Sequence, residues 1–196
     1  MAVLLREPAW SPPGVDRDAW AHALAEDSVD LLAALADAEA EVAIAVAPGE
    51  AALAESVRWP AMPILAIEKP RPALAMVAAH ERGFDQAAVL ASDAPDLPAM
   101  LIGKLLQPLD RRGVAAAPAD SGGLLGLAAA LPAPGWLLRA DPDLDADGLA
   151  ELRAAAPSTG AVAATPGWHR LRDPESLARL DVNLEGWEAT RALLGG

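Results

Sequence analysis

Cysteine and tyrosine are absent from this chain, and phenylalanine occurs once. Without thiols there are no disulfides, no thiolate nucleophile and no cysteine-based metal centre. A cysteine-free chain also fits a reducing cytoplasm. So few aromatic rings leave little for nucleobases to stack on. Cations are scarce as well: 15 Lys and Arg face 28 Asp and Glu, a formal net charge of −13. Nucleic acids and anionic membrane surfaces both need clustered positive charge, so neither is an expected partner. Long apolar runs are missing too. The longest, Gly123 to Leu138, is broken by Pro132 and Pro134 and cannot serve as a membrane span. The opening residues MAVLLREPAW turn charged at Arg6, too early for a signal peptide. A cytoplasmic location is therefore expected.

What is present points to a packed α/β protein. The chain is 53% hydrophobic with mean hydropathy +0.22, and its 196 residues suit a single domain over 1–196 with a substantial core. Short apolar runs at 2–5, 42–46, 63–67, 87–91 and 114–117 read as buried strands. Between them, 17–39, 49–57 and 71–83 have helical spacing, and Gly83 ends the last of these. A further helix runs from Pro98 and is ended or kinked by Pro108. Beyond the turn Asp120-Ser121-Gly122-Gly123 lies an apolar run at 124–129. Helices over 145–155 and 184–194 and a strand at 160–164 complete the pattern. Strands separated by helix-length segments predict a mostly parallel sheet covered by helices on both faces.

The segment Ala87 to Pro98 carries the clearest chemical signal. Its apolar run stops at Ser92-Asp93-Ala94-Pro95-Asp96, setting two carboxylates just past the carboxyl end of a central strand, where open α/β sheets bind ligands. With no Cys or His beside them, these carboxylates suit a hard cation such as Mg²⁺ carrying phosphate oxygens. The plainer alternative is a strand-to-helix turn in which Asp96 only caps the next helix.

Three segments resemble the nucleotide-diphospho-sugar transferase superfamily, which is GT-A-like, and more narrowly its bacterial MobA-like, glycosyltransferase-like group. Ser92-Asp93-Ala94-Pro95-Asp96-Leu97-Pro98 is similar to its "Asp-x-Pro-Asp-Leu-Pro" segment. Ala117 to Leu127, with Asp120-Ser121-Gly122-Gly123, resembles "Pro-Ala-x-Asp-Gly-Gly-Tyr-Tyr-x-x-Gly". Asp181-Val182-Asn183-Leu184-Glu185-Gly186-Trp187 resembles "Asp/Asn-x-Asn/Asp-Thr-Pro-Glu-Asp-Leu". The resemblance implies a three-layer α/β/α sandwich with a Rossmann-like, mostly parallel mixed sheet containing one antiparallel strand. It implies Mg²⁺-dependent transfer of a nucleotidyl or sugar group from a nucleoside triphosphate or nucleotide sugar, with Mn²⁺ as the alternative metal. Asp93 and Asn183 would be catalytic, and Asp93, Asp181 and Asn183 would face the metal. Arg6, Arg17, Asp96, Asp120, Ser121, Gly122 and Gly123 would line the substrate.

The chain departs from that pattern where phosphates are held. The closer group carries "Pro-Gly-x-Val-Lys-Thr-Arg-Leu" after its first strand. Here Pro13-Gly14-Val15 is followed by Asp16, leaving Arg6 and Arg17 as the cations of that loop. A carboxylate beside a triphosphate repels it. Leu124 and Leu125 stand for the two tyrosines, and Leu184-Glu185 for Thr-Pro. Two readings follow: a metal-dependent transferase, or a catalytically silent relative that binds a ligand or partner in the same cleft.

Other constellations carry less. Asp143-Leu144-Asp145-Ala146-Asp147-Gly148 begins like a calcium loop, but its twelfth position is Ala154 where a bidentate Glu is required. An acidic loop capping the following helix is expected instead. His22, His80 and His169 have no zinc spacing, and no serine sits in a nucleophile elbow. Trp10 and Trp168 are candidates to line a cleft or a homodimer contact. Lys69 would meet a phosphate if its strand ends in the cleft.

Overall fold

The computed structural model describes residues 1–36 and 40–195. Seven strands form one sheet: β1 (Ala2–Leu4), β2 (Ala43–Val46), β3 (Ile64–Ala66), β4 (Gln86–Ala91), β5 (Val114–Pro118), β6 (Leu124–Ala130) and β7 (Val162–Ala164). Their order is β3-β2-β1-β4-β6-β5-β7. The first four are mutually parallel, as expected from the helix-length crossovers between them. β6 runs antiparallel to both β4 and β5, and β7 is parallel to β5.

The strands are nearly continuous apolar runs because both faces are covered. Their alternation divides the core in two. Val3, Ile44, Leu90, Ala115 and Leu125 point to one layer, and Leu4, Ala45, Val89, Ala116 and Leu127 to the other. The first layer is closed by α1 (Arg17–Ala34), α2 (Ala51–Val57), α4 (Ala99–Leu106) and α5 (Leu109–Arg112) through Val29, Leu32, Val57, Ile102 and Leu109. The second is closed by α3 (Pro72–Glu81), α6 (Gly135–Ala140) and α7 (Leu149–Ala155) through Met76, Leu137 and Leu152. Two short helices follow, α8 (Pro174–Leu177) and α9 (Glu188–Leu193). No helix among the described residues is long and apolar enough to cross a membrane.

Some boundaries differ from the sequence expectation. The first helix was expected over 17–39; it ends at Ala34, closed by i→i−3 bonds from Leu35 and Ala36, and residues 37–39 lie outside the described residues. No Gly or Pro marks that stop, so the sequence does not reveal it. The helix expected from 145 starts at Leu149, because Asp143 and Asp147 draw 143–147 into a turn: Asp143 accepts from the Asp145 N–H, and Asp147 from the Asp143 N–H. α6 was not foreseen between its prolines; it is short and held by the fully buried Leu137.

A third, smaller cluster fixes the loop after β1. Trp10 stands edge-on to the buried Trp20, with ring centroids 6.4 Å apart. Leu171 and Leu24 complete the cluster. Asp16 is the N-cap of α1, its carboxylate accepting from Ala19 N–H at 2.9 Å. The acidic residue that replaces the expected cation therefore has a local structural task.

Candidate active site

β1 and β4 lie side by side in parallel register, Leu4 opposite Ala91. The chain proceeds from β1 through β2 and β3 on one side, then returns to place β4 on the other. Such a reversal opens a crevice beyond the carboxyl ends of the two strands. Arg6 follows β1 and Asp93 follows β4, so both arrive at this crevice.

Asp93 is buried, and its partner is Arg170. Arg170 Nε donates to Asp93 Oδ1 at 2.5 Å and Nη2 to Oδ2 at 2.9 Å, a bidentate pair. Nη2 also donates to Asp145 Oδ1 at 2.7 Å, and Nη1 to the carbonyls of Leu124 and Leu144, both at 3.0 Å. A guanidinium has five N–H donors, and here every one is engaged. Burial alone would lower the Arg170 pKa, but the charges and hydrogen bonds of Asp93 and Asp145 outweigh it and raise it. Arg170 is a fixed cation.

A second set of ion pairs borders the first. Arg6 donates to Asp143 Oδ1 at 2.5 Å and lies 3.1 Å from Asp145 Oδ2. Arg71 pairs with the other oxygen of Asp143, and Lys69 with Asp141 at 2.5 Å. Burial works to raise the Asp143 pKa. The hydrogen bonds from Arg6 and from the Asp145 N–H, with the charges of Arg6 and Arg71, prevail and hold it below the ordinary carboxylate value. Arginines stand between these carboxylates and hold them close together. The space left beside Arg6, Asp93, Asp145 and Arg170 is about 10 Å³, room for one water at most.

The remaining expected residues are placed as follows. Asp96 is buried and accepts from Trp168 Nε1 at 3.1 Å and from the Asp181 N–H at 2.9 Å. His169 Nε2 is 2.9 Å from Asp96 Oδ1 but out of line for a hydrogen bond. Asp181 Oδ1 accepts from the backbone and side-chain nitrogens of the exposed Asn183 at 2.9 and 3.0 Å. Arg17, the first residue of α1, is bonded back to the preceding loop, to Glu7 and to the Pro8 carbonyl. Asp120 lies 3.6 Å from Arg179 at the surface, beside the exposed Ser121 and Gly122. Gly123 packs against the Leu144 carbonyl. Asp96 and Asp181 are thus joined through a backbone bond, whereas the direct partners of Asp93 are the Arg170 side chain and the Leu171 N–H, and Arg170 links Asp93 to Leu144 and Asp145.

Known structures bear on this arrangement. The chain superposes over 99% of its length on 96% of a Desulfovibrio desulfuricans G20 protein provisionally classed as a nucleotide-diphospho-sugar transferase, at TM-score 0.66 and 22% identity. Rv0371c of Mycobacterium tuberculosis H37Rv, solved in complex with manganese, matches at TM-score 0.55 and 14% identity, covering 100% of this chain and 96% of its own. 4-Diphosphocytidyl-2C-methyl-D-erythritol synthase matches at TM-score 0.50 and 16% identity, covering 98% and 97%. This is the nucleotide-diphospho-sugar transferase fold. No protein-family model matches the chain, and no curated protein matches it in sequence.

Within the nucleotide-diphospho-sugar transferase fold, Arg170 is the residue that sequence reasoning missed. The signal for it is Pro174-Glu175-Ser176-Leu177. The pattern matched above to 181–187 also registers on 170–177, where Pro174, Glu175 and Leu177 fit it. In that register Arg170 and Arg172 stand at the two Asp/Asn positions. The segment lies on the site: Leu171 N–H donates to the Asp93 carbonyl at 2.7 Å, and α8 opens with an Asp173–Ser176 capping box.

The donor set decides whether a divalent cation suits these residues as they are placed. Both oxygens of Asp93 are bonded to Arg170, and Asp181 is bonded to Asn183. Among the described residues no group of three or more His, Asp or Glu is arranged to hold a metal ion. As placed, the residues do not fit Mg²⁺ or Mn²⁺.

Proposed function

We propose that this chain is a catalytically silent relative within the transferase fold, which takes a ligand or partner across the mouth of the β1/β4 crevice, its interior being filled by the protein's own side chains, without metal-dependent group transfer. The observation that carries this reading is the complete engagement of Arg170. A transferase cation must meet phosphate oxygens and offset the charge that develops on them. The cation beside Asp93 has no free donor. Around it Asp93, Asp143 and Asp145 face Arg6, Arg71 and Arg170, so the cluster is balanced and offers a polyphosphate little net attraction. The test is a thermal-shift screen of nucleoside triphosphates and nucleotide sugars, with and without Mg²⁺ or Mn²⁺, beside an assay for released pyrophosphate or nucleoside diphosphate. No release and no metal-dependent shift are expected.

A second reading has one observation in its favour: Asp93 follows β4 at the point where such sheets bind ligands. In that reading the chain is a Mg²⁺- or Mn²⁺-dependent nucleotidyl- or glycosyltransferase. Asp93, Asp181 and Asn183 would face the metal, and Arg6, Arg17, Asp96, Asp120, Ser121, Gly122 and Gly123 would line the substrate. Metal-dependent product release in the same assay would establish it in place of the first.

A further inference from the structure

We propose that the guanidinium of Arg170 is an internal substitute for a divalent cation, and that the cradle it fills takes Mn²⁺ once that side chain is removed. This rests on the silent-relative reading and assigns the residue responsible for it. The cradle is made entirely of oxygen: Asp93 Oδ1 and Oδ2 at 2.5 and 2.9 Å from the guanidinium nitrogens, Asp145 Oδ1 at 2.7 Å, and the carbonyls of Leu124 and Leu144 at 3.0 Å. Two carboxylates and two carbonyls are the donors a hard cation selects. Their two formal negative charges exceed the single charge of the guanidinium.

The cradle is held by backbone as well as by Arg170. The Leu124 N–H donates to the Leu144 carbonyl at 2.7 Å, joining the start of β6 to the acidic turn. Gly123 permits that approach: a Cβ there would sit 2.5 Å from the same carbonyl. The Leu171 N–H holds the Asp93 carbonyl. These bonds survive truncation of the Arg170 side chain. Asp145 is about one-quarter exposed and gives the cradle a route to solvent.

The test compares wild type, Arg170→Ala, Arg170→Gln and the double variant Arg170→Ala/Asp93→Asn in thermal unfolding, first in EDTA and then with titrated MnCl₂. In EDTA both single variants melt below wild type. Mn²⁺ then raises their midpoints saturably, leaves wild type unchanged and does little for the double variant. Millimolar methylguanidinium also raises the midpoint of Arg170→Ala, and competes with Mn²⁺. If Arg170→Ala does not fold in EDTA, Arg170→Gln carries the same comparison. Single variants no more responsive to Mn²⁺ than wild type overturn the substitution while leaving the silent-relative reading in place. A Mn²⁺ response persisting undiminished in the double variant overturns it too. A saturable Mn²⁺ response in wild type overturns both.

Discussion

Asp93 and Arg170, 77 positions apart, meet through two parallel hydrogen bonds at 2.5 and 2.9 Å in a buried site. The contact ties the end of β4 to the segment that follows β7. Removing one member of a buried pair costs about 3–5 kcal/mol when the other is left without a partner. Asp93→Ala takes two of the five hydrogen bonds of Arg170 and leaves it Asp145 and two carbonyls, so the fold should lose about 3 kcal/mol, the lower end of that range, in urea unfolding. A loss under about 1 kcal/mol, the range of exposed ion pairs, would show that Arg170 finds other company without strain.

The loop between β5 and β6 separates two effects of glycine. Gly122 and Gly123 both have positive φ, +95° and +77°. A Cβ on Gly122 meets nothing within 4 Å, whereas on Gly123 it meets the Leu144 carbonyl. Gly122→Ala should cost about 1 kcal/mol of backbone strain. Gly123→Ala adds a clash with backbone, for a total of about 2–4 kcal/mol. Equal losses in chemical denaturation would contradict the packing of 123 against 144.

Asp27 gives a dependence on pH. It is buried on α1 and accepts the N–H groups of Ala189 and Thr190, at 3.0 and 2.8 Å, at the start of α9. Burial, helped by Glu188, raises its pKa above 3.8 against the pull of those hydrogen bonds. A raised folded-state pKa contributes stability below the unfolded value and loses it as pH rises through the folded one. Asp27→Asn abolishes that titration. The melting temperature of wild type relative to Asp27→Asn should fall as pH rises from below 3.8 toward neutrality. A relative rise would contradict this placement of Asp27.

Arg6 and Arg71 share Asp143. Asp143→Ala leaves both with fewer carboxylate partners, and nucleoside triphosphates should bind this variant more tightly than wild type in calorimetry. Arg6→Ala should abolish the weak wild-type binding, and Arg111→Ala, outside the crevice, should not change it. No gain in Asp143→Ala would mean that the acidic turn does not compete with phosphate.

The sheet was readable because its strands are short apolar runs between helix-length segments, and burial on both faces demands that composition. Asp93 was readable for a related reason: a charge directly after such a run must emerge at the strand end. Arg170 was not. The Pro174-Glu175-Ser176-Leu177 pattern marks its place in the chain, but its partner lies 77 positions away, and local spacing does not show that it pairs with the Asp93 oxygens. The acidic turn at 143–147 was visible as a carboxylate cluster, but the arginines that neutralise it come from after β1, after β3 and after β7. Only the topology brings them together.

The most direct measurement is calorimetric titration of wild type with nucleoside triphosphates and nucleotide sugars, once with Mn²⁺ and once with EDTA. A balanced cluster closed by Arg170 predicts sub-millimolar or weaker binding, roughly −4 to −5 kcal/mol, with the same affinity in both buffers. Micromolar binding that appears only with Mn²⁺ would contradict the account and return Asp93 to the role of metal ligand.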